Sequence, residues 1–257
     1  MDNTKKKYKT GLVLSGGALR GFAHAGVLKA LNEAGIYPDV ISGASAGSIV
    51  GAFYADGFTP DEIYELFYNK KLTKYLEFCL PNKGLVRLTG LYKTLLEKLR
   101  AKTFEELQIP LWVAVTNLQE ARCEYFSQGD LPPYVIASST VPVMFQPMVI
   151  NGVTYVDGGI LNNLPLEPIE NDCEMLIGVN VNPVTVPMTE FDGMMGVADR
   201  SIHMMIHEIN KHKIPKFDIY IEPQELFKYS LFNMSKGKEM RQIGYKETKR
   251  VLKEKGV

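Results

Sequence analysis

Cysteine is scarce in this sequence: the three present, Cys79, Cys123 and Cys173, are odd in number, far apart and in no C-x-x-C pair. That pattern argues against a disulfide framework and a thiolate metal site, and it suits a reducing compartment. An excess of one charge is missing too. Lys and Arg total 29 against 29 Asp and Glu, so no global field draws the chain to nucleic acid or to an anionic membrane. No apolar run approaches the roughly 20 residues of a membrane span. The segment 1–9 is polar, with Lys5-Lys6-Lys7, and has no signal-peptide character. Internal repeats, low-complexity tracts and long polar linkers are also lacking. The expectation is one cytoplasmic domain over 1–257, with a motif core at about 10–181 and a C-terminal helical part at about 198–257. No metal, cofactor or nucleic-acid partner is expected.

What is present is an alternation of strand-like and helix-like runs, the mark of an α/β protein with a mostly parallel sheet. Gly11-Leu12-Val13-Leu14 leads through a glycine-rich turn, Gly16 to Gly21, into a helical pattern from Phe22 to Leu31. Asp39-Val40-Ile41 leads through Gly43-Ala44-Ser45-Ala46-Gly47 into a second helix running through Ile49 to Phe53. Thr59-Pro60-Asp61-Glu62 is a helix start, with Thr59 as cap and acids in the first turn. Further strands are expected at Leu111–Val115, Cys123–Phe126, Thr154–Val156, Met175–Val181 and Phe217–Ile221, and further helices at Pro133–Ser138, Ala198–Lys211 and Lys236–Lys253.

Gly-x-Ser-x-Gly at a strand–helix junction places a serine on a sharp turn, where small neighbours leave its hydroxyl uncovered. The next helix aims its N-terminal dipole at developing negative charge. The earlier turn has two readings. Gly16-x-Ala18-x-x-Gly21 is one substitution from the dinucleotide fingerprint, but the second strand carries no acid at its tip, and Asp39 lies at the wrong end. The alternative is an oxyanion hole built from backbone N–H groups beside the serine.

The proton acceptor is harder to place. Among the four histidines, His24 reads as a packed core residue. His203, His207 and His212 show neither H-E-x-x-H spacing nor a third metal ligand. Chain order permits a Ser-Asp-His triad of the α/β-hydrolase kind, yet both glycine turns fall within the first fifty residues, leaving too few strands ahead of the serine. Asp157, in Val156-Asp157-Gly158-Gly159, closes a strand; it is either a turn residue or, with its pKa raised by burial, a base acting directly on the serine.

Taken together these blocks resemble the patatin-like phospholipase family, especially its compact bacterial members. The likeness runs to about Val181 and takes in the turn with Arg20, the serine pentapeptide, Ala137-Ser138 with Pro142 and Phe145, and Asp157-Gly158-Gly159 with Asn162-Asn163 and Pro165. The resemblance implies a three-layer α/β/α fold and a lipid acyl hydrolase working through a Ser–Asp dyad. By position it makes Ser45 the nucleophile, Asp157 the general base, and Gly16, Gly17 and Ala18 the oxyanion hole. Arg20 would orient an anionic headgroup or hold the loop, with an exposed helix-start arginine as the plain alternative. Ala18 departs from the family, which usually has a third glycine there; an alanine supplies its N–H on condition that its φ is not positive.

The implied partner is a lipid or other acyl-ester substrate met at a membrane surface. Tyr64–Phe78, with Lys70, Lys71 and Lys74, and Leu226–Phe232 mix aromatics with lysines, as an interfacial lid would, and as ordinary amphipathic packing does more often. A non-catalytic lipid- or nucleotide-binding module that keeps the turns is the competing function.

Overall fold

The computed structural model describes residues 6–68, 77–78, 86–184, 193–229 and 236–257. Its first strand, β1 (Tyr8–Leu14), ends in five buried residues, because a central parallel strand is covered on both faces. A short 3-10 turn (Ala18–Gly21) leads into α1 (Phe22–Glu33), and β2 (Val40–Ala44) then runs straight into α2 (Ala46–Ala55). The next helix, α3 (Pro60–Tyr68), starts at a reciprocal cap: Glu62 N–H donates to Thr59 Oγ1 at 3.2 Å and Thr59 N–H to the Glu62 carboxylate at 2.8 Å.

After a two-stranded antiparallel ladder, β3 (Glu77–Phe78) with β4 (Val86–Arg87), come α4 (Thr89–Lys98), β5 (Leu111–Asn117), β6 (Arg122–Phe126) and α5 (Leu131–Ala137). The chain continues through β7 (Met148–Ile150), β8 (Val153–Asp157), β9 (Cys173–Val179), α6 (Gly193–Asn210), β10 (Ile219–Ile221) and α7 (Gly237–Lys255).

The main sheet has the order β10-β9-β1-β2-β5-β8-β7, with β6 also on β5. The run from β10 to β5 is parallel, while β6, β7 and β8 pair antiparallel. One detail of register sets the site. The ladder of β6 occupies β5 from Val113 to Asn117, so β2 and β8 share the other edge of β5, end to end. The last paired residue of β2, Ala44, faces Ala114, and the last residue of β8, Asp157, faces Val115, the next position along. Ser45 follows Ala44 directly.

Alternation along the strands splits the core. Leu12, Leu14, Ile41, Val113, Ile177 and Val179 join the large cluster that includes Phe22, Leu28, Phe53 and, from α7, Met240 and Leu252. Val13 and Leu176 face the other way, against Phe217 and an irregular segment carrying Leu164, Leu166 and Ile169. Against the helices, α1 and α7 touch through glycines. A side chain at Gly244 would collide with the carbonyl of Ala23, and one at Gly26 with the carbonyl of Arg241.

The two lid expectations fall partly outside the described residues, at 69–76 and 230–232. Within them, Tyr64 is buried, with its ring 5.9 Å from that of Phe22, and Leu226 is fully buried; both are packing residues.

Candidate active site

Ser45 caps the β2–α2 junction with φ 51° and ψ −124°, a left-handed conformation costly for a serine. Its position is enforced from several sides. Its N–H donates to Ser138 Oγ at 2.8 Å, and Ser138 Oγ donates in turn to the Ala114 carbonyl at 2.7 Å. The Ser45 carbonyl accepts from Ser48 N–H at 2.9 Å and Ser48 Oγ at 2.7 Å. Gly47 must lack a side chain because its Cα lies against the backbone of Leu14 and Ser15, at the end of β1. The elbow is thus wedged between β1 and β5.

Asp157 arrives from the opposite direction along β5 and is 4% exposed. Burial raises its carboxyl pKa from the ordinary value to about 6, against the lowering effects of the nearby Ser45 hydroxyl and the Gly159 N–H. The Gly159 bond to Asp157 Oδ1 measures 2.7 Å. The Asp157 backbone is pinned by its own N–H to Thr140 O at 3.0 Å and by Thr116 Oγ1 to its carbonyl at 2.9 Å. Ser45 and Asp157 thus stand at adjoining strand ends on the same edge of β5.

The three expected hole residues behave differently from one another. Gly16 N–H is already given to Asn163 O at 3.2 Å. What Gly16 contributes is room: a Cβ there would stand 2.9 Å from Ser45 Cβ and 2.7 Å from Asn163 Nδ2. Gly17 and Ala18 N–H have no acceptor among the described residues. The condition placed on Ala18 is not met, since its φ is 46°; its N–H is nevertheless unclaimed by any described group. The strain arises because the turn must reverse before α1 with no glycine at that point.

Arg20 is 3% exposed, so it is not a solvent-exposed helix-start arginine. Its Nε donates to the Tyr229 carbonyl at 2.9 Å, and its guanidinium lies 2.6 Å from His203 Nε2. It ties the glycine turn to α6 and the 224–229 turn. No histidine hydrogen-bonds to Ser45 or Asp157 among the described residues. His24 is fully buried with Nε2 2.8 Å from Ser15 O, and burial depresses its pKa to about 4, so it is a neutral core group. No cluster of metal-ligating side chains occurs among the described residues.

Residue-by-residue reading of the sequence missed several supports. Asn182, just beyond β9, donates from Nδ2 to the Gly16 carbonyl at 2.6 Å and to Asn163 Oδ1 at 3.2 Å. Lys213, 3% exposed, reaches Asn162 Oδ1 at 2.5 Å and the Glu167 carboxylate at 2.7 Å, bracing the segment after Asp157. The available signal was weak: polar residues at 180 and 182 where an apolar central strand ends.

A strand–turn–helix serine, a buried carboxylate on the adjoining strand end and a glycine turn at the tip of a parallel sheet define an α/β protein of the nucleophile-elbow class. Residues 12–169 match the family model of the patatin-like phospholipases, and the chain belongs to that family.

Lysophospholipase nte1 of Aspergillus fumigatus is 34% identical over 198 residues, covering 72% of this chain and 13% of that protein. Lysophospholipase NTE1 of Kluyveromyces lactis is 32% identical over 195 residues, covering 72% of this chain and 14% of its own length. The chain thus spans a small part of these relatives. Among solved structures, VipD from Legionella pneumophila superposes with a TM-score of 0.64 at 18% identity, over 96% of this chain and 67% of that one. That likeness concerns the fold alone.

Proposed function

We propose that this protein is a serine acyl hydrolase that cleaves carboxylic ester bonds of lipids, lysophospholipids or phospholipids, through an acyl-enzyme. The observation that supports the reading is the placement of Ser45 and the buried Asp157 at adjoining strand ends on one edge of β5. In this scheme Asp157 takes the hydroxyl proton as Ser45 Oγ attacks the ester carbonyl carbon. Gly17 and Ala18 N–H, with the N-terminus of α2, stabilise the tetrahedral oxyanion. Collapse breaks the ester C–O bond, and the departing alkoxide takes the proton from Asp157. Water then gives a proton to Asp157 and attacks the acyl carbon, and the second collapse frees the fatty acid and returns the proton to Ser45.

Family membership and the names of the lysophospholipase relatives support the lipid class of substrate. Two exposed apolar side chains lie close to the site residues in sequence. Val143, three residues after Thr140, is 79% exposed, and Leu161, four after Asp157, is 40% exposed. We assign these two side chains to peripheral contact with a lipid surface, and the unpaired Cys123 and Cys173 fit a cytoplasmic setting.

The test is labelling with a fluorophosphonate probe alongside hydrolysis of lysophosphatidylcholine and a p-nitrophenyl ester. The wild type should label and turn over, and folded Ser45→Ala should do neither. Undiminished hydrolysis in Ser45→Ala would end the proposal. Sedimentation with phosphatidylcholine vesicles should weaken in Val143→Asp.

A further inference from the structure

The Gly16–Gly17 peptide is held by its carbonyl. Gly16 O accepts from Asn182 Nδ2 at 2.6 Å and from Ser15 Oγ at 2.9 Å, and Ser15 Oγ also accepts from Val181 N–H at 3.0 Å. The Asn182 amide has one sensible orientation, because its Nδ2 faces two acceptors, Gly16 O and Asn163 Oδ1. Asn182 is 1% exposed and its Oδ1 has no partner among the described residues, so a buried polar group is kept here at a cost.

Direction follows from topology. A trans peptide points its C=O and N–H opposite ways. In the sheet β1 lies between β9 and β2. A Gly16 carbonyl turned toward residues 181–182, beyond β9, turns the Gly17 N–H toward β2 and Ser45. Donors on the carbonyl also polarise the peptide unit and strengthen its N–H as a donor.

We propose that Asn182 is a positioning residue for the oxyanion hole: by clamping the Gly16 carbonyl, with Ser15, it aims and polarises the Gly17 N–H. The inference rests on the acyl-hydrolase reading above and adds to it a residue that never touches substrate. Gly17 itself fits this role. A side chain there would collide with Val181 and crowd the Asn182 amide.

The experiment compares wild type, Asn182→Ala and Ser15→Ala on a p-nitrophenyl ester, with a trifluoromethyl ketone as inhibitor. That ketone adds to the serine as a tetrahedral alkoxide and so reports on the hole. In Asn182→Ala, kcat should fall about 10- to 100-fold while KM stays within about twofold. The inhibition constant of the ketone should rise in step with the loss of kcat, and the pH midpoint of hydrolysis should not move, because Asp157 is untouched. Ser15→Ala should show a smaller loss with the same signature, and it carries the test if Asn182→Ala does not fold. Unchanged kcat in both variants, or a loss of kcat with unchanged affinity for the ketone, overturns the role of Asn182. A wild type that neither turns over the ester nor binds the ketone overturns the acyl-hydrolase reading instead, and this inference with it.

Discussion

In the proposed dyad, Asp157 combines two demands that oppose each other at the scale of one residue. As a base it must be ionised, yet burial pushes its pKa up to about 6. We predict that kcat/KM rises with pH through about 6 and levels off above it. The same shift has a stability cost. Between the ordinary carboxylate pKa near 4 and about 6, the folded state holds a proton that the unfolded chain has released, so stability falls as pH rises through that window. At pH 8 the ionised group costs roughly 3 kcal/mol relative to a permanently neutral one. Asp157→Asn should therefore lose about 10²- to 10⁴-fold in activity and unfold at higher urea than wild type at pH 8, with the advantage shrinking by pH 4. An advantage independent of pH would contradict the account. The strand–helix turn at Ser45 was legible in the local pattern, and Asp157 was singled out by its position in the family pattern. The burial of Arg20 was not. Its carbonyl partner, Tyr229, is 209 residues away, and no local pattern announces such a contact.

Elements, more than side chains, bring the pair together. Because β2 and β8 abut on one edge of β5, Ser45 and Asp157 are carried by adjoining strand ends. Two glycine substitutions separate what each contact between elements does. Gly47→Ala would drive a methyl group into the Leu14 backbone, splitting the elbow from the glycine turn that follows β1. We predict a loss of about 1–3 kcal/mol and a fall in kcat of about 100-fold, as expected for a misplaced nucleophile. Gly244→Ala strikes the Ala23 carbonyl at the α1–α7 contact instead. It should cost similar stability, read from the thermal midpoint, while kcat per folded molecule changes little. Equal effects on kcat would mean that the elbow has no special register. The parallel half of this architecture was readable, since β1, α1, β2 and α2 carry clear periodicity and turn chemistry. The antiparallel half was readable only in pieces. β7 is three residues long, and the end-to-end meeting of β2 and β8 is a long-range pairing that alternation within each strand does not encode.

Across the whole molecule the question is whether 1–257 folds as one unit or as a motif core with a separable C-terminal part. Family membership covers residues 12–169, which on its own would suggest that the remainder is dispensable. The packing argues otherwise. Met240 and Leu252 of α7 lie in the same cluster as Leu12, Phe22 and Phe53, α7 seats on α1 through facing glycines, and α1 begins at the glycine turn beside Ser45. Arg20 links that same turn to the Tyr229 carbonyl and to His203 on α6. Removing α7 would uncover the apolar face of α1 and loosen the hole at once. We therefore predict a single cooperative transition in urea. The lone tryptophan, Trp112 on β5, reports from the far face of the sheet, circular dichroism from the helices, and ester hydrolysis from the site, so the three midpoints should coincide. A chain ending at residue 236 should be insoluble or rapidly proteolysed, without residual hydrolysis. Two separate transitions, or a stable and active truncated chain, would show that the C-terminal part is a distinct unit and that the hole is held by the motif core alone.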